Sequence, residues 1–255
     1  MCGICGFLMH TPERLPEGTL RRMTDSIAHR GPDADGFWED PSAGIGLGHR
    51  RLAILELSPL GAQPMLSSSG RWVLTYNGEV YNYRALAAEL RALGHSFRGH
   101  SDTEVMLAAI EQWGIAAAAS RFVGIFAFAV WDRRDRVLSL VRDHLGVKPL
   151  YYGHAGGTLL FGSELKPLVA FPGFDVTIDR GALALSLRHN CIPAPYSIYR
   201  DARKLPPGTM LTVGADGVVG DPVPFWSARD VAEAGTRAPL QLSDGDATED
   251  RKSVV

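Results

Sequence analysis

The sequence predicts an α+β chain whose sheets are covered by helices, and three observations carry that prediction. Strand-like and helix-like segments alternate from the start to about residue 225, with no internal repeat and no low-complexity stretch. Several segments place apolar residues at the three- and four-residue spacing of an amphipathic helix. Residues 122–131 (FVGIFAFAVW) are apolar on both alternating faces, the pattern of a strand covered on both sides. Stacked sheets flanked by helices satisfy all three.

The elements follow in order. Residues 19–30 (TLRRMTDSIAHR) set Leu20, Met23 and Ile27 on one helical face and stop at Gly31-Pro32. HRRLAILEL (49–57) reads as a β-like apolar run, and 71–76 (RWVLTY) as a strand that Asn77-Gly78 breaks, a dipeptide commonest in β-turns. Residues 83–93 form a helix carrying Leu86, Leu90 and Leu93, with Asn82 as its N-cap. Ser101 and Glu104 make a capping box at the start of a helix over 102–112. Strands are expected at 137–141 and 158–162, and a further helix from Asp179 to about Arg188. After Phe225 the apolar periodicity fades into a segment rich in Ala, Gly, Asp and Ser, which reads as a linker or tail.

At 255 residues, with 45% hydrophobic and 21% charged residues, the chain has enough apolar mass for a sizeable core. No apolar run reaches the roughly 18 residues of a membrane span, and MCGICGFLMHTPERL lacks the basic start and long apolar stretch of a signal peptide. A cytoplasmic protein is expected, with no membrane partner. A net charge of -2 supplies no general attraction to nucleic acid, and no nucleic-acid partner is expected. Three cysteines do not make a disulfide framework.

Their placement is more informative. Removal of Met1 would leave Cys2 with a thiol and a free α-amine, a nucleophile and its base on one residue, since an α-amine titrates at about 7.7–8.0. Taken alone, Cys2 reads as a chance cysteine. Cys2 and Cys5 also form C-x-x-C, but no second close pair completes a zinc site and no strand precedes the motif as a redox site would require. Cys5 and Cys191 read as buried small hydrophobes. Arg50 or Arg51 could grip a substrate carboxylate through paired hydrogen bonds, or be solvated strand residues. Asn77 and Gly78 could present a side-chain amide and a backbone N–H to a developing oxyanion. Asp102, in the first turn of a helix, is favoured there by the dipole and could equally hold an ammonium. Together these groups suit hydrolysis of the side-chain amide of a free amino acid: an arginine and an aspartate hold the zwitterion while the thiol attacks.

These residues sit in ordered motifs: MCGICGF, HRGPD (29–33), RLAILEL with GAQPM (61–65), YNGEVYNY (76–83), SDTEV, GIFAFAVWD (124–132), RDHLGVKPLYY (142–152) and SELKPL (163–168). On them, residues 2–226 resemble the glutamine-hydrolysing domain of class II glutamine amidotransferases, within the N-terminal nucleophile hydrolases. IPAPYSIYRDARKLPPG (192–208) makes the resemblance strongest to asparagine synthetases. The resemblance implies a four-layer αββα sandwich. It implies Cys2 as nucleophile, Arg51 on the glutamine α-carboxylate, Asn77 and Gly78 as oxyanion hole, and Glu79 and Asp102 on the α-ammonium. L-Glutamine would be the substrate and a glutamyl thioester the intermediate, giving glutamate and ammonia. A non-catalytic module of the same fold, or an amidotransferase with another acceptor, are the alternatives.

Asparagine synthetases continue into an ATP-dependent domain, and its S-G-G-x-D-S loop does not occur here. No cofactor is therefore expected on this chain, ATP and magnesium belonging to an absent synthetase domain that would accept the ammonia. A homodimer is compatible with the sequence. Residues 227–255 are expected to be linker and truncated tail. DRKSVV (250–255) is one translation of GATCGGAAGAGCGTCGTG, the opening of a sequencing-library adapter, so a frame that ran off a longer gene is expected. A native stop codon after Val255, with other codons, would overturn that.

Overall fold

Two antiparallel sheets of six strands build the protein, described by a computed structural model over residues 1–10, 15–54, 56–214, 217–239, 241 and 243–252. In chain order the elements are β1 (Gly3–Met9), α1 (Thr19–Asp25), β2 (Ala34–Asp40), β3 (Ile45–Arg51), β4 (Met65–Leu66), β5 (Trp72–Val80), α2 (Tyr83–Ala92), α3 (Asp102–Trp113), α4 (Ile115–Arg121), β6 (Gly124–Asp132), β7 (Val137–Arg142), β8 (Tyr151–Ala155), β9 (Thr158–Gly162), α5 (Lys166–Val169), α6 (Arg180–His189), β10 (Ala202–Lys204), β11 (Thr209–Val213), β12 (Val223–Pro224), α7 (Ala228–Arg237) and α8 (Asp244–Lys252). One sheet runs β10-β8-β9-β1-β3-β2 and the other β12-β11-β7-β6-β5-β4. The chain divides into two compact units, Met1–Phe225 and Trp226–Val255.

Three apolar clusters show the layering. Ile4, Leu8 and Leu47 of the first sheet pack with Val73, Ala129, Trp131 and Leu140 of the second, so this core lies between the sheets. Leu74, Tyr76, Phe126 and Phe128 turn the other way, onto Leu86 and Leu90 of α2 and Met106 and Ile110 of α3. Cys5 and Phe7 turn outward onto Leu20 and Met23 of α1 and Leu168 of α5. The result is the expected αββα sandwich. The strand apolar on both faces is β6, at the centre of its sheet and covered on both sides.

Several local expectations are corrected. The first helix stops at Asp25: Thr24 and Ser26 turn their hydroxyls back onto the carbonyls of Leu20 and Met23, and Ala28–Arg30 tighten into a 3-10 turn. Asn82 occupies the N-cap of α2 without capping it, because its side chain accepts from Val123 N–H and donates to Arg121 O. Ser101 does cap α3, but Glu104 accepts from Arg98 and Gly99 instead of closing the box. Asn77-Gly78 neither breaks β5 nor turns it; the strand pairs with β6 through Val80. The run at 49–57 is strand only to Arg51, and Ile54 and Leu57 are exposed. Cys191 is exposed, not buried. The segment after Phe225 carries α7 and α8 where linker was expected.

Candidate active site

The start of β1 is fixed from three sides. Ile4 exchanges backbone and side-chain hydrogen bonds with Ser163, whose neighbour Glu164 pairs with His29, Arg30 and Lys166. Arg30 in turn donates to Cys2 O at 3.0 Å. The Cys2 thiol sits at the backbone of Leu52, accepting its N–H at 3.3 Å and lying 3.5 Å from its carbonyl. That strip is itself held by Asp33, which accepts Ala53 N–H at 2.8 Å. The motifs HRGPD and SELKPL thus position the thiol from outside the cavity.

The spacing of C-x-x-C decides its meaning. Residues 2 and 5 differ by an odd number along an extended chain, and Cys5 faces α1, wholly buried against Thr24. Burial pushes its thiol up to about 12. Cys2 opens instead onto a cavity also lined by His49, Arg51, Gln63, Tyr76, Gly78, Glu79, Asp102 and Lys148.

The same alternation separates the two arginines. Arg50 pairs with Asp25 and Asp35 on the helix-facing side. Arg51 reaches the cavity, its guanidinium steadied by the carbonyls of Ser58 at 3.1 Å and Glu56.

Strand β5 supplies the opposite wall. Phe126, the partner of Gly78, turns its own N–H and C=O to Asp143, so the Gly78–Phe126 pair is one without cross-strand hydrogen bonds. The N–H groups of Tyr76, Gly78 and Val80 therefore point to the free edge of β5, beyond the end of the two-residue β4. Gln63 Oε1 takes that of Tyr76 at 2.7 Å and Asp102 Oδ2 that of Val80 at 3.0 Å, leaving the one between them directed into the cavity. Glycine is required there, since a Cβ would lie 2.2 Å from Ile125 O. Asn77 points inward between the sheets, does not line the cavity wall, and is wholly buried; its amide Nδ2 has no hydrogen-bond partner among the described residues.

Asp102 accepts from Tyr76 OH at 2.7 Å as well as from Val80. Burial raises its carboxyl above the ordinary range, against the pull of those bonds, and raises the Tyr76 phenol further. His49 is buried with Nε2 3.2 Å from Tyr76 O; desolvation pushes it down to about 4, so the imidazole is neutral. Its Nδ1 is unpartnered among the described residues. Neutral His49, Gln63, Tyr76 and Lys148 were not singled out by residue chemistry, although GAQPM, YNGEVYNY and RDHLGVKPLYY contain three of them.

No helix among the described residues is long and apolar enough to cross a membrane. Residues 1–226 match the glutamine amidotransferase domain family. Asparagine synthetase [glutamine-hydrolyzing] 1 of Bacillus subtilis is 37% identical over 222 residues, covering 85% of this chain and 34% of that protein. Asparagine synthetase [glutamine-hydrolyzing] 3 of the same organism is 38% identical over 223 residues, covering 86% and 36%. The chain thus spans about a third of the length of these relatives. The glutamine phosphoribosylpyrophosphate amidotransferase of B. subtilis, solved with ADP and GMP, superposes with a TM-score of 0.64 over 88% of this chain and 49% of that one, at 23% identity. The chain belongs to the glutamine amidotransferase domain family.

Proposed function

We propose that residues 2–226 form a glutaminase domain that hydrolyses L-glutamine to glutamate and ammonia through a thioester on Cys2. The observation that carries this reading is the cavity shared by Cys2, Arg51, Gly78, Glu79 and Asp102, five groups from four separate stretches of sequence whose chemistry matches one substrate. Arg51 binds the α-carboxylate, and Glu79 and Asp102 the α-ammonium. This leaves the side-chain amide directed at the thiol.

Loss of Met1 frees the α-amine of Cys2. The thiol adds to the amide carbon as the amine takes its proton, and the oxygen acquires charge that Gly78 N–H and Asn77 Nδ2 receive. Gly78 N–H already faces the cavity, whereas Asn77 Nδ2, unpartnered among the described residues and behind the wall, must turn towards it to join. The ammonium then protonates the leaving nitrogen, the C–N bond breaks and ammonia departs. A water adds to the thioester with the amine again as base, and collapse expels the thiolate, which recovers its proton as glutamate leaves.

The length of the relatives and their names support an acceptor beyond this chain: a synthetase domain using ATP and magnesium, in which ammonia attacks aspartyl-adenylate to give asparagine. Residues 227–255 are then the connection to it. The test is ammonia release from L-glutamine by purified protein. Wild type is expected to release it and Cys2→Ala to show none above background, whereas equal rates would overturn the reading.

A further inference from the structure

The loop 142–148 places a lysine in the cavity, and the hydrolysis above leaves it without a role. Asp143, wholly buried, accepts the N–H groups of Phe126, Leu145, Val147 and Lys148 at 2.8–3.2 Å. Arg142 donates to the carbonyls of Lys148, Gly146 and Leu205 at 2.7–2.8 Å. These hydrogen bonds hold the loop rigid, and it delivers Lys148, only 8% exposed, to the wall beside Cys2. Its Nζ lies 3.2 Å from Met1 Sδ, and it forms no ion pair among the described residues. A lysine this buried without a carboxylate bonded to it is costly, and a cost retained in a cavity points to a use.

We propose that Lys148 is a positioning residue whose ammonium keeps the freed α-amine of Cys2 unprotonated, and so able to act as base. A positive charge near an amine disfavours a second one. The inference rests on the reading of Cys2 as an N-terminal nucleophile. The other charged or titratable groups around the cavity are Arg30, bonded to Glu164, Glu79 on β5, Asp143 in the same loop, and Tyr76, Asp102, His49, Arg51 and Glu56. Arg30 is bonded to the Cys2 carbonyl, and its charge is offset by Glu164. Lys148, like Arg51 elsewhere on the cavity wall, has no bonded carboxylate among the described residues, and it is the one that lies against Met1.

The test is the pH profile of kcat/KM for ammonia release between about pH 5 and 9, in wild type, Lys148→Met, Lys148→Gln and Lys148→Arg, with Tm recorded for each. In the two neutral variants the acid limb is expected to move up by about 0.5–1 pH unit, with the high-pH plateau retained, and in Lys148→Arg to stay in place. An acid limb unmoved in whichever neutral variant folds, or moved equally in Lys148→Arg, would overturn the proposal. The pH dependence of Cys2 alkylation by iodoacetamide reads the same shift without turnover. Failure of the underlying reading looks different: wild type releases no ammonia, or Cys2→Ala remains active.

Discussion

At the scale of single residues, the site separates substrate grip from oxyanion stabilisation, and the two separate in kinetics. Asn77 has a buried amide Nδ2 with no hydrogen-bond partner among the described residues, so Asn77→Ala is expected to lower kcat by about 10²–10³ with little change in KM, measured by steady-state ammonia release. Asp102 is held above its ordinary range by burial, so its ionised form costs stability at neutral pH. Asp102→Asn keeps an acceptor for Tyr76 and Val80 and removes the charge. It is expected to raise KM for glutamine at least about tenfold while leaving the urea midpoint at pH 7 unchanged or higher. His49 has the opposite linkage. Burial, aided by the Arg51 charge, lowers it to about 4 from an ordinary 6.5, so the unfolded chain takes up a proton that the folded one refuses. Its contribution is intact above about pH 6.5 and is lost as pH falls towards about 4, by roughly 3 kcal/mol. In urea titrations across that range, His49→Gln is expected to flatten the slope relative to wild type.

At the scale of elements, the site is held by loops that carboxylates organise from within. Asp143 accepts four backbone N–H groups, those of Phe126 and Lys148 buried, so Asp143→Ala is expected to cost about 3 kcal/mol or more by chemical denaturation. A loss under 1 kcal/mol would mean that water replaces the carboxylate. What could be read of these elements from sequence follows from where their stabilisation is local. The Ser101 cap of α3, the start of α6 at Asp179 and the β9 strand were legible because hydrogen bonds between near neighbours or a strong β pattern set them. Asn77-Gly78 misled because its turn preference is local, whereas its pairing with Ala127 and Phe126 comes from nearly fifty residues away. Asn82, bonded to Arg121 and Val123 at separations of 39 and 41 residues, was hidden for the same reason. Which of Arg50 and Arg51 faces the cavity was set by strand alternation, but residue chemistry alone could not say which face was which.

At the scale of the whole molecule, the two sheets bring β1, β3 and β5 together so that Cys2, Arg51 and Gly78 line one cavity, and the central apolar core lies directly behind it. Roles for those residues were legible through motifs; the αββα layering was legible in outline from the doubly covered β6. The helices after Phe225 were not, because α7 buries no residue and α8 (DGDATEDRK) has no apolar pattern to reveal it. Since Met1–Phe225 is a compact unit of its own, a chain ending at Trp226 is expected to release ammonia at the full-chain rate. The central claim is that an N-terminal Cys2 carries the glutamyl group. Acid-quenched mass spectrometry of protein mixed with L-glutamine tests it most directly: the account predicts an N-terminal peptide without Met1 that bears a glutamyl adduct on Cys2, and turnover by protein that retains Met1 and never carries the adduct would contradict it.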